Sequence, residues 1–293
     1  KENLTNEDKK ALLKKLIRNK KKQSAKYGNS EKNTNTIPEQ FWKIDAFSEI
    51  IEFDEQYSLL DKLQISNPFF RVNQGIIKDT TVIEDKTLIS YSSYNYLGLS
   101  GDPQVSETAK KLIDEYGTSV SASRMITGEK PIHNELEKGI ADFLGVDNSV
   151  VFVSGHATNV TTIGHLFGPK DLVIHDSLAH NSIVQGALLA RARRIAFPHN
   201  DYAALEEILE EDRMEYEKVL IAVEGVYSVD GDLCDLNRLI EIKKKYKAIL
   251  LVDEAHSIGV LGKTGRGIGE HCGINPKDVE MWMGTLSKTF ASC

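Results

Sequence analysis

From residue 149 onward, short apolar runs alternate with longer amphipathic stretches. The runs SVVFV, DLVIH, RRIAF, KVLIAVEG, AILLVDEA and VEMWMGTL have the length and flanking polar residues of buried strands. Between the earlier ones lie HATNVTTIGHLF, NSIVQGALLAR, DYAALEEILEE and LNRLIEIKKKY, which read as helices. Strands alternating with helices predict an α/β fold, with a mainly parallel sheet covered by helices on both faces.

Upstream the pattern is less regular. Helices are expected at about 104–116 and 131–144, after the loop YSSYNYLGLSGDP. Residues 69–91 alternate as a small hairpin does, with Asp85-Lys86 near its turn. Residues 37–66 read as a helical segment with Phe47, Ile50, Ile51 and Leu59 on its apolar side. Residues 1–36 are rich in Lys, Asn and Ser. Leu12, Leu13, Leu16 and Ile17 recur there at helical spacing, and KYGNSEKNTNT follows as a linker. The lysine run suits a solvated helix face or a tether to an upstream module. The expected division is therefore a basic linker with an amphipathic helix over 1–36, a helical segment and hairpin over 37–100, and a large domain over 101–293.

Composition narrows this only slightly. In 293 residues, 41% are hydrophobic and 27% charged, as in a globular domain, and the net charge of −7 weighs against nucleic-acid binding. Cys234, Cys272 and Cys293 match neither a zinc spacing nor a disulfide framework, so a reducing cytoplasm is expected. No apolar run is long enough to span a bilayer, which points away from a membrane role. The chain opens on Lys1 and stops five residues past Lys288, where a strand or turn should continue, so a piece of a longer polypeptide is expected.

The candidate chemistry gathers after the strands. Open parallel sheets bind ligands beyond the carboxyl ends of their strands, and Ser154, Glu224, Asp253 and Lys288 all fall near such ends. Asp253 closes the very apolar LLVD run, where an unpaired carboxylate is costly. Lys288 follows 35 residues later in GTLSKTF. A lysine amine that can hold a cofactor aldehyde as a Schiff base, with a carboxylate to keep a pyridinium protonated, is what pyridoxal phosphate (PLP) chemistry requires. His256 stands three residues beyond Asp253, and Thr285 and Ser287 offer hydroxyls near Lys288.

Other motifs are less specific. In VFVSGHATN, Ser154-Gly155 opens a helix whose free N–H groups can attract a phosphate, although many such turns bind nothing. His175 and His180 in LVIHDSLAHNS suit an aromatic ring partner or an ordinary hydrogen-bonded histidine. His156, His175 and His180 lack the spacing of a zinc site, so no metal is expected. In VEGVYSVDGD, Glu224 or Ser228 could bond a ring substituent or a substrate, while Asp230-Gly231 reads as a turn. LGKTGRG imitates a nucleotide phosphate loop, but Ser257 stands where that motif requires glycine.

Taken in order, SYNYLGLS, YGTSVSASRMITGEKPIHNELE, SGHATN, DSLAHNS, PHND, EGVYSVDGD, LVDEAHSIGVLGKTGRG and MGTLSKTF resemble the α-oxoamine synthases, a branch of the fold-type I PLP enzymes. The resemblance runs from about Asn67 to Cys293. It implies that Lys288 carries PLP, Asp253 pairs with the ring nitrogen, His256 contacts the ring oxygen and His180 stacks on the ring. Ser228 would bond near the ring oxygen. Gly155 and His156 would offer backbone N–H groups to the phosphate, and Thr285 a hydroxyl. Asn95 would face the substrates, and Arg71 in NPFFRVNQG would contact the acyl donor. The resemblance also implies a further small domain after the lysine, with an arginine for the substrate carboxylate, which is expected to be missing from this stretch of sequence.

The implied reaction joins a small amino acid to an acyl thioester with loss of carbon dioxide, in a homodimer that shares residues between its sites. The acyl carrier is coenzyme A or, as in synthase modules of polyketide assembly lines, an acyl carrier protein. Rival readings are an aminotransferase on the same scaffold, a non-catalytic PLP-fold subunit, and a sphingolipid role like that of serine palmitoyltransferase.

Overall fold

The computed structural model describes residues 36–292. The expected helix near Leu12–Ile17 and the linker after it lie outside the described residues, apart from Thr36. The chain divides into two compact units, Lys1–Val72 and Asn73–Cys293. In the first, two short 3-10 turns lead into α1 (Ser48–Lys62). Of its expected apolar side, Ile50 and Ile51 stay exposed.

The second unit opens with a small antiparallel sheet of β1 (Asn73–Gln74), β2 (Thr80–Ile83) and β3 (Lys86–Ile89). The β2–β3 hairpin turns at Glu84 and Asp85, one residue before the expected Asp85-Lys86. Both sit at positive φ, +51° and +61°, the conformation that matches the right-handed twist of the flanking strands. α2 (Pro103–Tyr116) and α3 (Pro131–Leu144) follow. Asp102 caps α2 by accepting from the N–H groups of Gln104 and Val105, and Pro103 occupies the first turn, where its missing N–H costs nothing.

The main sheet has five parallel strands in the order β5-β4-β6-β7-β8, namely β4 (Leu172–Asp176), β5 (Arg193–Phe197), β6 (Val219–Glu224), β7 (Ile249–Asp253) and β8 (Met281–Met283). The connecting helices are α4 (Gly155–Leu166) before β4, α5 (Asn181–Ala190), α6 (Tyr202–Asp212), α7 (Leu236–Tyr246) and the short α8 (Ile268–Cys272). Strand residues alternate between two cores. Leu172, Ile174, Ile221, Val223, Leu250 and Val252 pack with Leu205 and Leu209 of α6 and Leu236 and Leu239 of α7. Val173, Leu220, Ala222 and Leu251 pack with Ile163 of α4 and Ile183 and Ala187 of α5. Each fully buried Leu or Ile side chain contributes about 1.5–3 kcal/mol, so the sheet holds its strand ends rigidly in place.

The expected strand SVVFV does not form. Residues 149–153 carry no strand pairing, and Val150 and Val153 are exposed. Side chains take up the backbone instead. Val151 donates its N–H to Glu137 at 2.8 Å, and its carbonyl accepts from Arg124 at 3.2 Å. Arg124 also binds Glu129 and Glu137, so this ion cluster rather than a neighbouring strand fixes the segment.

Among the described residues, no helix is long and apolar enough to cross a membrane. None of their His, Cys, Asp and Glu side chains gather in a group that could hold a metal ion.

Candidate active site at the strand ends

Glu224 and Asp253 are the last residues of β6 and β7 and are direct partners in the parallel register. Asp253 is also in register with Met283, the last residue of β8, and Lys288 stands five residues on. Both carboxylates are buried, at 3% exposure each. Parallel alignment thus gathers at one sheet edge three ionisable groups that are far apart in sequence.

Asp253 accepts from the backbone N–H of Ala255 at 3.0 Å and from Asn159 Nδ2 at 2.9 Å. Both donors are neutral. Burial raises its pKa, opposed by these two hydrogen bonds and by the charge of Lys288. Glu224 is pushed up to about 7, first by burial and then by the charge of Asp253. It accepts the backbone N–H of His180 at 2.7 Å. Lys288 is half-buried, and burial lowers its pKa against the pull of Asp253 and Glu224. Its Nζ lies 5.7 Å from the centroid of the Tyr94 ring. An amine so placed has an enlarged neutral, nucleophilic fraction.

His256 Nδ1 lies 2.8 Å from the Tyr96 hydroxyl. Burial, followed by the charges of Lys288 and His180, lowers its pKa to about 4, so its imidazole is neutral at neutral pH. His180 closes the β4–α5 connection and caps α5 through its ring, which accepts the N–H of Ser182 at 3.2 Å. The rings of His156 and His180 meet edge-on at 6.1 Å.

α4 begins at Gly155, capped by Ser154, whose hydroxyl accepts the N–H of Ala157 at 3.1 Å. The N–H groups of the first turn have no intrahelical acceptor. A Cβ on Gly155 would lie 3.0 Å from Met283 Cε and 3.2 Å from Thr285 Cβ, so glycine lets α4 approach the Lys288 loop closely. Thr285 Oγ1 lies 2.9 Å from Ser287 Oγ.

The other expected residues lie differently. Ser228 is exposed in the turn after β6. Asn95 donates its amide to the Ile77 carbonyl, in the segment between β1 and β2, at 3.1 Å and accepts from the Ser100 N–H of its own loop at 3.0 Å. Arg71 is exposed and belongs to the first unit. His175 lies within β4, buried, with Nδ1 2.7 Å from the Asp176 carbonyl.

Asn159, Ser182, Tyr96 and Thr289 are not among the residues expected from the sequence. A signal existed for Asn159, which stands four residues before Ile163 and so on the same inward stripe of α4. Both are buried, at 1% and 0% exposure, and a polar side chain on such a stripe needs a specific partner.

A family model described as "Aminotransferase class I and II" matches residues 86–293. The chain belongs to the aminotransferase class I and II family. Its similarity to a serine palmitoyltransferase of Bacteriovorax stolpii is 39% identity over 224 residues, covering 76% of this chain and 53% of that protein. An 8-amino-7-oxononanoate synthase of Coprothermobacter proteolyticus is 41% identical over 209 residues, covering 71% and 53%. Among solved structures, the Sphingomonas wittichii serine palmitoyltransferase superposes with a TM-score of 0.79 at 32% identity, covering 85% of this chain and 62% of that one. A high-resolution structure of SPT with PLP gives 0.78 at 33%, with the same coverage. The α-oxoamine synthase resemblance and the expected large-domain fold are thereby borne out within the aminotransferase class I and II family. The chain spans about half the length of the curated relatives it matches.

Proposed function

We propose that the full-length protein is a PLP-dependent homodimeric enzyme that condenses a small amino acid with an acyl thioester, releasing carbon dioxide and giving an α-amino ketone. One observation carries the reading. Lys288 is a half-buried amine held below its usual pKa, at the same sheet edge as Asp253, a fully buried carboxylate bound by neutral donors alone. A carboxylate buried in this way is costly unless it gains a cationic partner. A protonated ring nitrogen supplies one, so the residues present fit the cofactor. The close approach at Gly155, with the Thr285 hydroxyl beside the start of α4, fits its phosphate.

When bound, PLP supplies an aldehyde that takes up amines and a ring that stores the electron pair left on an α-carbon. Lys288 Nζ would hold the aldehyde between turnovers, then accept the substrate's α-proton and later return it, and its depressed pKa favours the neutral form this requires. Asp253 would keep a proton on the ring nitrogen. Neutral His256, hydrogen-bonded to Tyr96, would face the ring oxygen without adding charge, and Ser228 would bond near it. His180 would lie against the ring. Gly155 and His156 N–H groups would hold the phosphate with Thr285. Asn95 would face the substrates.

The test is mass spectrometry of products from the full-length protein with PLP, each small amino acid, and acyl groups carried on coenzyme A or on an acyl carrier protein. Thioester-dependent carbon dioxide release with the matching amino ketone supports the reading, and the productive carrier identifies the acyl donor. Transamination of a keto acid without need of a thioester contradicts it and identifies an aminotransferase on the same scaffold.

A further inference from the structure

A directed chain of hydrogen bonds links Asp253 to His180 through two buried side chains that none of the roles above uses. Asn159 Nδ2 donates to Asp253 Oδ2 at 2.9 Å and to Ser182 Oγ at 3.0 Å. Ser182 Oγ lies 2.7 Å from His180 Nδ1, and the Ser182 backbone N–H donates to the same nitrogen at 3.2 Å. Ser182 is fully buried and Asn159 is 1% exposed.

The direction of each bond follows from its end. A carboxylate oxygen only accepts, so the Asn159 atom facing Asp253 is its NH2 group. That group has two hydrogens, and the second goes to Ser182 Oγ. The hydroxyl sends its own hydrogen to His180 Nδ1, because the Ser182 backbone N–H already fixes that nitrogen as an acceptor. The backbone N–H of Ser182 can only donate, and it makes the same demand on Nδ1. An imidazole nitrogen that accepts two donors carries no proton, so the ring proton resides on Nε2. Asn159 Oδ1 is left buried without a partner. Flipping the amide would instead set that oxygen against the Asp253 carboxylate.

We propose that Asn159 and Ser182 are positioning residues that hold His180 as its Nε2–H tautomer, with the Asp253 carboxylate as the fixed end of the chain. His180 is then clamped on one side and presents a single oriented N–H donor on the other. The consequence for turnover rests on the cofactor reading above, whereas the tautomer itself does not.

The experiment is two-bond 1H–15N correlation NMR on the full-length protein labelled with 15N-histidine, at neutral pH, with and without PLP. The His180 signals are assigned by their loss in His180→Gln. The expected result is a pure Nε2–H tautomer in the wild type, without PLP as well as with it. Ser182→Ala, which removes the hydroxyl, is expected to admit a second tautomer and to lower kcat about tenfold with little change in KM. An Nδ1–H or doubly protonated ring in the wild type overturns the proposal, as does an unchanged tautomer in a folded Ser182→Ala protein. Should that variant fail to fold, the wild-type spectrum alone decides. Loss of the Lys288 reading would leave the PLP-free spectrum unaffected, so the two failures are separable.

Discussion

Thr289 donates its hydroxyl to the carbonyl of Ile258 at 2.7 Å, tying the residue next to Lys288 to the loop that carries His256. Thr289 is fully buried, and Gly259 packs so tightly on it, at φ +78°, that a Cβ there would lie 2.0 Å from Thr289 Cγ2. The position of the lysine is set by this clasp, five residues beyond the end of β8. Thr289→Val keeps the shape but leaves the carbonyl unsatisfied, at a cost of about 1–3 kcal/mol. Thermal unfolding should show a melting temperature lower by several degrees, and the fraction of protein retaining PLP after gel filtration should fall. Unchanged stability and PLP retention would show that the clasp does not position Lys288.

Glu224 makes stability depend on pH. Its pKa rises to about 7 in the folded protein from an ordinary value of 4.5, so the folded state binds the extra proton. The stabilisation is complete below pH 4.5 and is lost as pH rises toward 7. Glu224→Gln keeps the oxygen that accepts the His180 N–H and removes the titration. The variant's unfolding midpoint should therefore gain on the wild type's as pH rises from 4.5 to 7. A constant difference across that range would contradict the assignment.

His256 acts in the opposite sense. Its folded pKa of about 4 lies below the ordinary 6.5, so the unfolded chain binds protons first, and stability falls as pH drops from 6.5 toward 4. His256→Gln should flatten that acid limb in pH-dependent melting curves. An acid limb as steep as the wild type's would place the titration on another group.

Gly155→Ala tests the cradle at the start of α4. The added methyl meets Met283 Cε, a flexible tip, but also Thr285 Cβ at 3.2 Å, on the loop leading to Lys288. PLP affinity, measured by titration of the full-length protein, should drop at least tenfold. Stability without PLP should change by about 1 kcal/mol or less, because the Met283 tip can move aside. Undiminished affinity would remove Gly155 from the phosphate site.

Much of this was legible from residue pattern alone. β5 and α7 occupy the stretches expected of them, RRIAF and LNRLIEIKKKY, although β5 is an edge strand with only Phe197 buried, whereas the apolar spacing of α7 matches its buried face. Asp253 and Glu224 were readable as strand-end acids because each closes a continuous apolar run. SVVFV was misread for the same reason: apolar content cannot reveal that Glu137 and Arg124 capture the backbone of Val151. The links Asn159–Asp253 and Tyr96–His256 span 94 and 160 positions, and only the folded sheet brings such pairs together. Asn95 shows the converse. A motif residue marked for substrate has one end of its amide engaged by its own loop at Ser100 and the other by Ile77 before β2, a use that no spacing signals.

The central claim is that the amine of Lys288 holds the cofactor. Borohydride reduction of the full-length protein with PLP, followed by digestion and mass spectrometry, tests it directly. The predicted result is a pyridoxyl-phosphate mass on the peptide bearing Lys288, lost in Lys288→Ala. The mass on any other lysine, or on none, would contradict the account.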